Sequence, residues 1–273
     1  MSNTEVKIIP PKSTSPEFSE VWQHRELLYF FVWRDVKVKY KQTYLGILWA
    51  ILQPALLMTI FYFVFSRTLS ISVGMNYPMY AFSGLALWGL FSSGIINCSE
   101  SLINNSSMIR KIYFPKLLIP LSSLITALID FIFAFFLLFI LALIFRQSIH
   151  WSAIYLFPLA IIITFLSSFG IGTLLSALNV KYRDFRYMLP FIIQLTFFCS
   201  QIPYSIQSIS FSFIKPLFYI NPLNGALEIF RMPFTTGPVY GIGIIISIAT
   251  MFILFSIGLL YFKKTEVYIS DLI

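Results

Sequence analysis

Long apolar stretches alternate with short polar segments along this chain. Six of them approach the roughly 20 residues that a helix needs to cross the hydrocarbon core of a bilayer. They lie at 45–66, 78–98, 117–144, 153–178, 188–202 and 239–262. The third contains Asp130, and the fifth is short. The pattern predicts an all-α membrane protein with six transmembrane helices, and it assigns 45–262 to the transmembrane domain.

Residues 20–44, just before the first span, carry an amphipathic pattern. At helical spacing one side is charged and the other is aliphatic, with Trp and Tyr at the borders. Such a helix lies in the plane of the lipid headgroups. Residues 36–40 also alternate as a strand would, which leaves an earlier end to the helix open. The charged side holds Glu26, Arg34, Lys37 and Lys41, and the aliphatic side holds Val21, Leu28, Val32 and Val36.

The junction with the first span contains Gly46, and the span itself contains Gln53 and Pro54. A glycine without a side chain eases a close crossing at the junction. Proline frees a backbone carbonyl within a helix, and lipid offers no partner to that carbonyl or to an amide. We therefore expect Gln53 and Pro54 to face protein or a pathway.

Residues 203–238, between the fifth and sixth spans, are rich in both proline and aromatic residues. Irregular backbone at membrane depth is tolerated only against protein or a water-filled cavity. The pattern predicts short, broken helices that dip into the outer leaflet and line or cap a pathway. The alternative is a loop packed on top of the bundle. The prolines are Pro203, Pro216, Pro222, Pro233 and Pro238.

Composition and charge predict the environment of the chain and its orientation in a membrane. Of its 273 residues only 11% are charged, against about 25% in soluble domains, and 58% are hydrophobic. Fifteen of the 19 Lys and Arg residues fall in loops on one side of the predicted spans. The positive-inside rule places that side in the cytoplasm, with both termini, the disordered tail 1–19 and the tail 263–273. The net charge of +8 thus indicates anionic lipid as a partner and not nucleic acid.

Several kinds of chemistry have no basis in the sequence. No glycine is followed by lysine, so no phosphate-binding loop for ATP is present. His24 and His150 lack the spacing of metal ligands, and the four aspartates form no D-x-D pair. We therefore predict that the chain is not an enzyme and binds no cofactor itself.

Polar side chains inside the predicted spans are candidates for function. A carboxylate such as Asp130 costs about 2.5–3.5 kcal/mol at the centre of a helix, so it is an ion or proton site, a structural bond to Ser or Thr, or protonated. Gln194 and Gln201 lie seven apart on one face of the fifth span, where they would contact sugar hydroxyls or bond to another helix. Small residues recur every four positions in the fourth span, which predicts close helix packing. They are Thr164, Ser168, Gly172 and Ser176.

Four segments together resemble one family, the membrane subunits of ABC-type polysaccharide exporters. These ABC-2 permeases move precursors of O-antigen, capsule and teichoic acid. The resemblance covers nearly the whole chain after about residue 18. Its motifs are RDVKVKYKQTYLGILWAILQP (34–54), NVKYRDFRYMLPFIIQLTFFCSQIPYSI (179–206), YINPLNGALEIFR (219–231) and YFKKTEVYISDLI (261–273).

The resemblance implies an assembly and a cargo. The chain would form a homodimer with two copies of a separate ATPase, which would hold ATP and Mg. Two short helices would lie between spans five and six on the outer side. The cargo would be a glycan on an undecaprenyl diphosphate carrier, exported across the cytoplasmic (inner) membrane.

The coupling loop 99–116 would dock on the ATPase. Its cytoplasmic placement by charge and its apolar residues agree with a protein partner, although contact with the membrane surface alone is the alternative. The residues predicted to couple to the ATPase are Leu102, Ile103, Met108, Ile109, Arg110 and Lys111.

Further roles follow as hypotheses. Basic residues of 20–44 would attract the diphosphate, or would only anchor the chain as the positive-inside rule requires. A second set would line a channel, and a third would form the outer gate within 203–238. The three sets are Arg34, Lys37, Lys39 and Lys41; Gln53, Gln194, Phe198 and Gln201; and Phe211, Phe218, Tyr219 and Phe230.

Other functions stay open on the sequence. An ABC-2 permease for a small drug or lipid would need the same ATPase but a narrower path. An ion-coupled secondary transporter would use Asp130, although 273 residues is small for that class and no inverted repeat is visible. A membrane enzyme of glycan assembly would lack a catalytic constellation.

Overall fold

The computed structural model describes residues 18–41, 46, 48–68, 75–182, 184–206, 213–235 and 239–272. Within these ranges the chain is helical and forms no strand. The predicted tail 1–19 lies outside them except for its last two residues, and the predicted gate residue Phe211 lies outside them entirely. The class predicted from the apolar pattern, an all-α membrane protein, is confirmed.

The N-terminal part consists of a short helix α1 (Phe18–Gln23) and a longer helix α2 (Arg25–Lys41). Because α2 continues to Lys41, the strand-like alternation at 36–40 does not end it. Gly46 follows with a positive φ of 50°, a conformation that favours glycine. Nothing lies within 4 Å of a Cβ built there, so backbone conformation explains this glycine, not the close crossing predicted for it.

Five described helices are long and apolar enough to cross a membrane. The first, α3 (Leu48–Phe61), continues into a π-helical turn at Tyr62–Thr68. The helices Tyr77–Asn104 and Gly241–Leu272 run furthest past the ends of their predicted apolar stretches, because no proline or glycine interrupts them there. The predicted cytoplasmic tail is thus largely helical. The other four are α4 (Tyr77–Asn104), α6 (Leu118–Ile144), α7 (Ala153–Lys181) and α11 (Gly241–Leu272), and a one-turn helix α5 (Ser106–Ile109) follows α4.

The fifth predicted span is the shorter helix α8 (Phe185–Phe198). Its 14 residues give a length of about 21 Å at about 1.5 Å per residue, less than the about 30 Å of a hydrocarbon core. The prediction that Gln194 and Gln201 share one face of this helix is wrong, because the helix ends at Phe198. Gln201 lies in the irregular turn that follows.

Between α8 and α11 the chain forms short helices. They are α9 (Lys215–Phe218), α10 (Pro222–Arg231) and a 3₁₀ turn at Met232–Phe234. The sequence sets the start of α10: the Asn221 side chain accepts a hydrogen bond from the backbone N–H of Leu223, and Pro222 occupies the first helical position. The broken helices predicted for this region are therefore present.

Helix α7 lies at the centre of the bundle and packs against α4, α10 and α11. Its small residues allow this, because a Cβ on Gly172 would collide with Cys98 of α4 and one on Gly170 with the backbone of α11. The predicted packing role of the four-residue repeat is confirmed, since all four members are buried. Helix α3 differs from α7, for none of its residues is buried.

Candidate functional site

A cavity of about 240 Å³ lies where α2, α3, α4 and α6 meet. Its wall combines aromatic rings with amide, hydroxyl and charged groups. The aromatic members are Tyr40, Trp49, Trp88 and Phe131, and the polar members are Lys39, Gln53, Ser92, Ser93 and Asp130. A wall that contains such polar groups can bind a polar ligand. Within the described part of the chain no group of three or more His, Cys, Asp or Glu could hold a metal ion.

Asp130 of α6 is held by two consecutive residues at the end of α2. The Lys39 ammonium and the Tyr40 hydroxyl both donate hydrogen bonds to its carboxylate. Burial, followed by the bond to Asp130, raises the pKa of Tyr40, so the hydroxyl remains a donor. Asp130 therefore has a structural partner, as one alternative predicted, but the partner belongs to α2 and is not Ser or Thr of a neighbouring span.

The four basic residues predicted to attract a diphosphate do not gather in one place. Arg34 forms an ion pair with Asp35 at 2.8 Å, and the Lys37 ammonium lies 4.3 Å from the centre of the Trp33 ring. Lys41 is exposed at the end of α2. Of the four, Lys39 alone lines the cavity.

Helix α3 forms one wall of the cavity through Trp49, Gln53 and Pro54. The structure thus places Gln53 and Pro54 at the cavity, as expected of groups that lipid does not favour. Gln53 is exposed and makes no hydrogen bond within the described residues. Its amide is free to meet a ligand.

The other predicted channel residues lie elsewhere. Gln194 and Phe198 are exposed on α8. Gln201 is buried, and its Nε2 donates to the Asn224 carbonyl at 2.6 Å while its backbone N–H donates to Asn224 Oδ1 at 2.8 Å. The four predicted channel residues are thus split among the cavity, the outside of α8 and the core.

Helix α10 is the most completely buried element, with all ten of its residues inside. Its last residue, Arg231, donates to the carbonyls of Gln201 at 2.6 Å and Tyr80 at 2.9 Å and to Ser83 Oγ at 3.2 Å. The guanidinium also lies 3.5 Å from the centre of the Tyr80 ring. Gly84 leaves the space for it, because a Cβ there would collide with Arg231. We call α10 with these partners the outer hub, because the positive-inside rule predicts that it lies on the outer side of the membrane.

Glu228 is the acidic member of the outer hub. The Tyr219 hydroxyl and the Tyr240 backbone N–H both donate to its carboxylate, the latter at 2.6 Å. Burial, and then the bond to Glu228, raises the pKa of Tyr219. Tyr219 and Phe230 were predicted to form an outer gate, but both are fully buried in the core, so neither lines an opening in this structure. Phe218 is half-buried.

The predicted coupling segment presents a different surface from the one expected. Leu102 and Ile109 are buried, whereas Arg110 and Lys111 are exposed. Sequence reasoning missed Tyr113, which is 99% exposed at the tip of the segment. The remaining predicted members, Ile103 and Met108, are half-buried.

Two contacts fix this segment to helices α2 and α11. Phe114 folds back so that its ring centre lies 5.5 Å from that of Phe31 on α2. The Lys116 backbone N–H donates to Glu266 Oε1 at 3.0 Å, and the Lys116 ammonium donates to the Glu266 carbonyl at 2.6 Å. The segment is therefore joined to both α2 and α11.

Comparison with known proteins agrees with this architecture. Residues 26–235 match the family described as ABC-2 type transporter. An O-antigen export system permease protein of Klebsiella pneumoniae is 32% identical over 254 residues, covering 91% of this chain and 95% of that protein. A permease protein of the same description from Myxococcus xanthus is 27% identical over 205 residues, covering 75% and 78%. The polysialic acid transport protein of Escherichia coli is 25% identical over 254 residues, covering 85% and 91%.

Proposed function

The chain belongs to the ABC-2 type transporter family, and we propose that it is the membrane-spanning subunit of an ATP-driven exporter of polysaccharide. The observation that carries this proposal is the near full-length similarity to permeases named for O-antigen and polysialic acid, two polysaccharides. Similarity that runs over 91% of the chain includes the cavity, the coupling segment and the outer hub alike.

The energy source in this proposal is a separate ATPase. The sequence has no phosphate-binding loop, so ATP and Mg would sit on the partner. The exposed tip formed by Arg110, Lys111, Ile112 and Tyr113 is the surface we assign to docking. An aromatic and a cation at the tip of a protruding segment are typical anchors of protein interfaces.

The assembly we propose is a homodimer with two ATPase subunits. Helix α3 has no buried residue, and α8 leaves most of one side exposed, so both offer a surface that a second copy can cover. A path between two copies would have room for a polymer. Both termini and the docking tip would lie in the cytoplasm, with the chain in the cytoplasmic membrane.

The cargo we propose is a glycan on an undecaprenyl diphosphate carrier. Lys37 and Lys41 on α2 are exposed and close to the expected headgroup plane, where cations attract anionic groups. Arg34 and Lys39 would have to leave Asp35 and Asp130 to take part.

A deletion strain tests the export function. Without this chain, lipid-linked glycan should accumulate inside the cell and surface glycan should disappear, and the wild-type gene should reverse both. Immunoblotting of whole cells and of extracted lipid-linked glycan provides the measurement. Unchanged surface glycan in the deletion strain would overturn the proposal, and loss of drug efflux alone would favour the small-molecule permease.

Purification with a tag tests the ATPase partner. We expect an ATPase subunit to co-purify with the wild-type chain and to be lost from Tyr113→Ala. The matched control is Tyr155→Ala, because Tyr155 is also exposed but lies at the start of α7, at the other end of the bundle. Transport driven by an ion gradient in vesicles that contain this chain alone would instead favour the secondary transporter.

A further inference from the structure

We propose that the cavity between α2, α3, α4 and α6 binds one sugar ring of the exported glycan. The inference rests on the proposed function only for the origin of that sugar. The cavity, about 240 Å³, is smaller than the about 300–1,000 Å³ that holds a drug-sized ligand. It therefore fits a single ring and not a length of polymer.

Aromatic rings on two sides give the cavity faces on which a sugar can pack. Trp49 extends from α3 and is half exposed, and Trp88 extends from α4. The Trp88 ring is fixed from behind by Phe197, with 5.1 Å between ring centres. A pyranose has apolar C–H faces, and large rigid rings bury such faces at little cost in conformational entropy.

The polar groups of the wall suit hydroxyls better than a phosphate. Among the described residues of the wall there is one cation and one anion, Lys39 and Asp130, which already form an ion pair and balance each other. A phosphate would meet the Asp130 carboxylate and would have to compete for Lys39. A sugar hydroxyl can donate to the carboxylate and accept from the ammonium without breaking the pair.

Gln53 completes the set because its amide both donates and accepts. It lines the cavity, is exposed and has no hydrogen bond within the described residues. An amide left without a partner inside a membrane helix is unfavourable, and a polar ligand in the cavity would supply that partner. Ser92 and Ser93 extend the same polar strip along α4.

Sugar binding can be measured without transport. The full-length chain, with any subunits that co-purify, is placed in lipid nanodiscs and titrated with the methyl glycosides of glucose, galactose, mannose, rhamnose and N-acetylglucosamine. Saturation-transfer NMR reports both affinity and which sugar protons touch the protein. We expect at least one glycoside to bind through its C–H face.

Variants locate the site. Gln53→Leu should weaken the binding of that glycoside about three- to tenfold, which corresponds to the loss of one hydrogen bond. Trp49→Leu should lower saturation transfer to the C–H face relative to the other sugar protons. The matched controls are Gln23→Leu and Trp151→Phe, because both side chains are exposed far from the cavity. Circular dichroism and gel filtration confirm that each variant is folded.

Each result decides the inference. Weaker binding in the cavity variants and unchanged binding in the controls support it. It is overturned if no glycoside binds, if the controls lose affinity equally, or if Gln53→Leu weakens the binding of methyl phosphate and not that of the glycoside. Failure of sugar binding while the deletion strain still loses surface glycan would reject this site and leave the proposed export function intact.

Discussion

The outer hub and the cavity both contain polar groups inside an apolar protein. Those of the hub are buried and hydrogen-bonded, whereas those of the cavity include exposed groups and one amide without a described hydrogen bond. In the hub, Arg231 and Gln201 are buried, and every contact described for them joins two elements of the bundle. In the cavity, Lys39 is 41% exposed and Gln53 has no hydrogen bond among the described residues. The comparison of the two amides is the clearest: the same side chain is a structural link in one region and an open group in the other.

The difference in burial and hydrogen bonding indicates which of the two regions stabilises the fold. A buried polar group that has all its partners is costly to disturb, because any partner left behind loses a bond in a place without water. An exposed polar group at a cavity can be removed with little effect on folding, so its presence indicates binding. We therefore expect changes in the hub to lower stability and changes in the cavity to lower function.

The largest expected effect is that of Arg231→Met. The change removes the guanidinium bonds to the carbonyls of Tyr80 and Gln201 and to Ser83 Oγ, and a hydrogen bond to a charged group is worth about 1.5–3 kcal/mol. We expect little folded protein in detergent extracts, as measured by gel filtration of a fluorescent fusion. The control is Arg186→Met, because Arg186 is half exposed and its ion pair with Glu100 is 3.5 Å long. Equal losses for both variants would contradict the structural role of the hub.

Gly84→Ala tests the same network with a single methyl group. That methyl would collide with the Arg231 guanidinium and would also crowd Ile202, and overpacking of this kind costs about 1–3 kcal/mol. Gly89→Ala on the same helix is the matched variant, because nothing lies within 4 Å of its Cβ. Thermal unfolding in detergent should show a lower Tm for Gly84→Ala and an unchanged or higher Tm for Gly89→Ala. The opposite order would show that the guanidinium is not fixed where we describe it.

The sequence predicts a feature of these regions when local residues determine it, and does not when residues far apart in the chain determine it. Apolar length alone predicts the membrane class and most helix positions, because the thickness of a bilayer sets a length that is independent of the fold. The end of α8 is not predicted that way, since no proline or glycine follows Phe198 for several residues and the turn at 199–204 is held by Asn224, far along the chain.

The same distinction between local and long-range determinants applies to the site residues. The Gln53–Pro54 step is predictable because lipid disfavours it locally, and the structure places it at a cavity. The burial of Tyr219 and Phe230 is not, because an aromatic residue reads the same in the sequence whether it faces a pathway or the core. The partnership of Asp130 with Lys39 joins residues that are 91 positions apart, and no local pattern reports such a pair.

The Lys39–Asp130 pair should have a smaller effect than either change in the hub. Because Lys39 is partly exposed, we expect a coupling of only about 0.2–1 kcal/mol. A double-mutant cycle with Lys39→Met and Asp130→Asn measures it from the Tm values of the two single variants and the double variant. A coupling as large as the effect of Arg231→Met would mean that the cavity is as rigid as the hub, and the contrast between the two regions would fail.

The smallest effect on stability, and the sharpest test of the comparison, is expected for Gln53→Leu. The replacement removes no hydrogen bond found among the described residues and puts an aliphatic side chain into a membrane helix, so the Tm should stay the same or rise. Gln201→Leu, the same change in the hub, should lower the Tm, because it removes the buried hydrogen bond from Gln201 Nε2 to the Asn224 carbonyl. Export should show the opposite order. Surface glycan, normalised to the amount of folded chain, should fall for Gln53→Leu. If instead Gln53→Leu lowers the Tm as much as Gln201→Leu does, the amide of Gln53 is structural, and the cavity holds it for packing and not for a ligand.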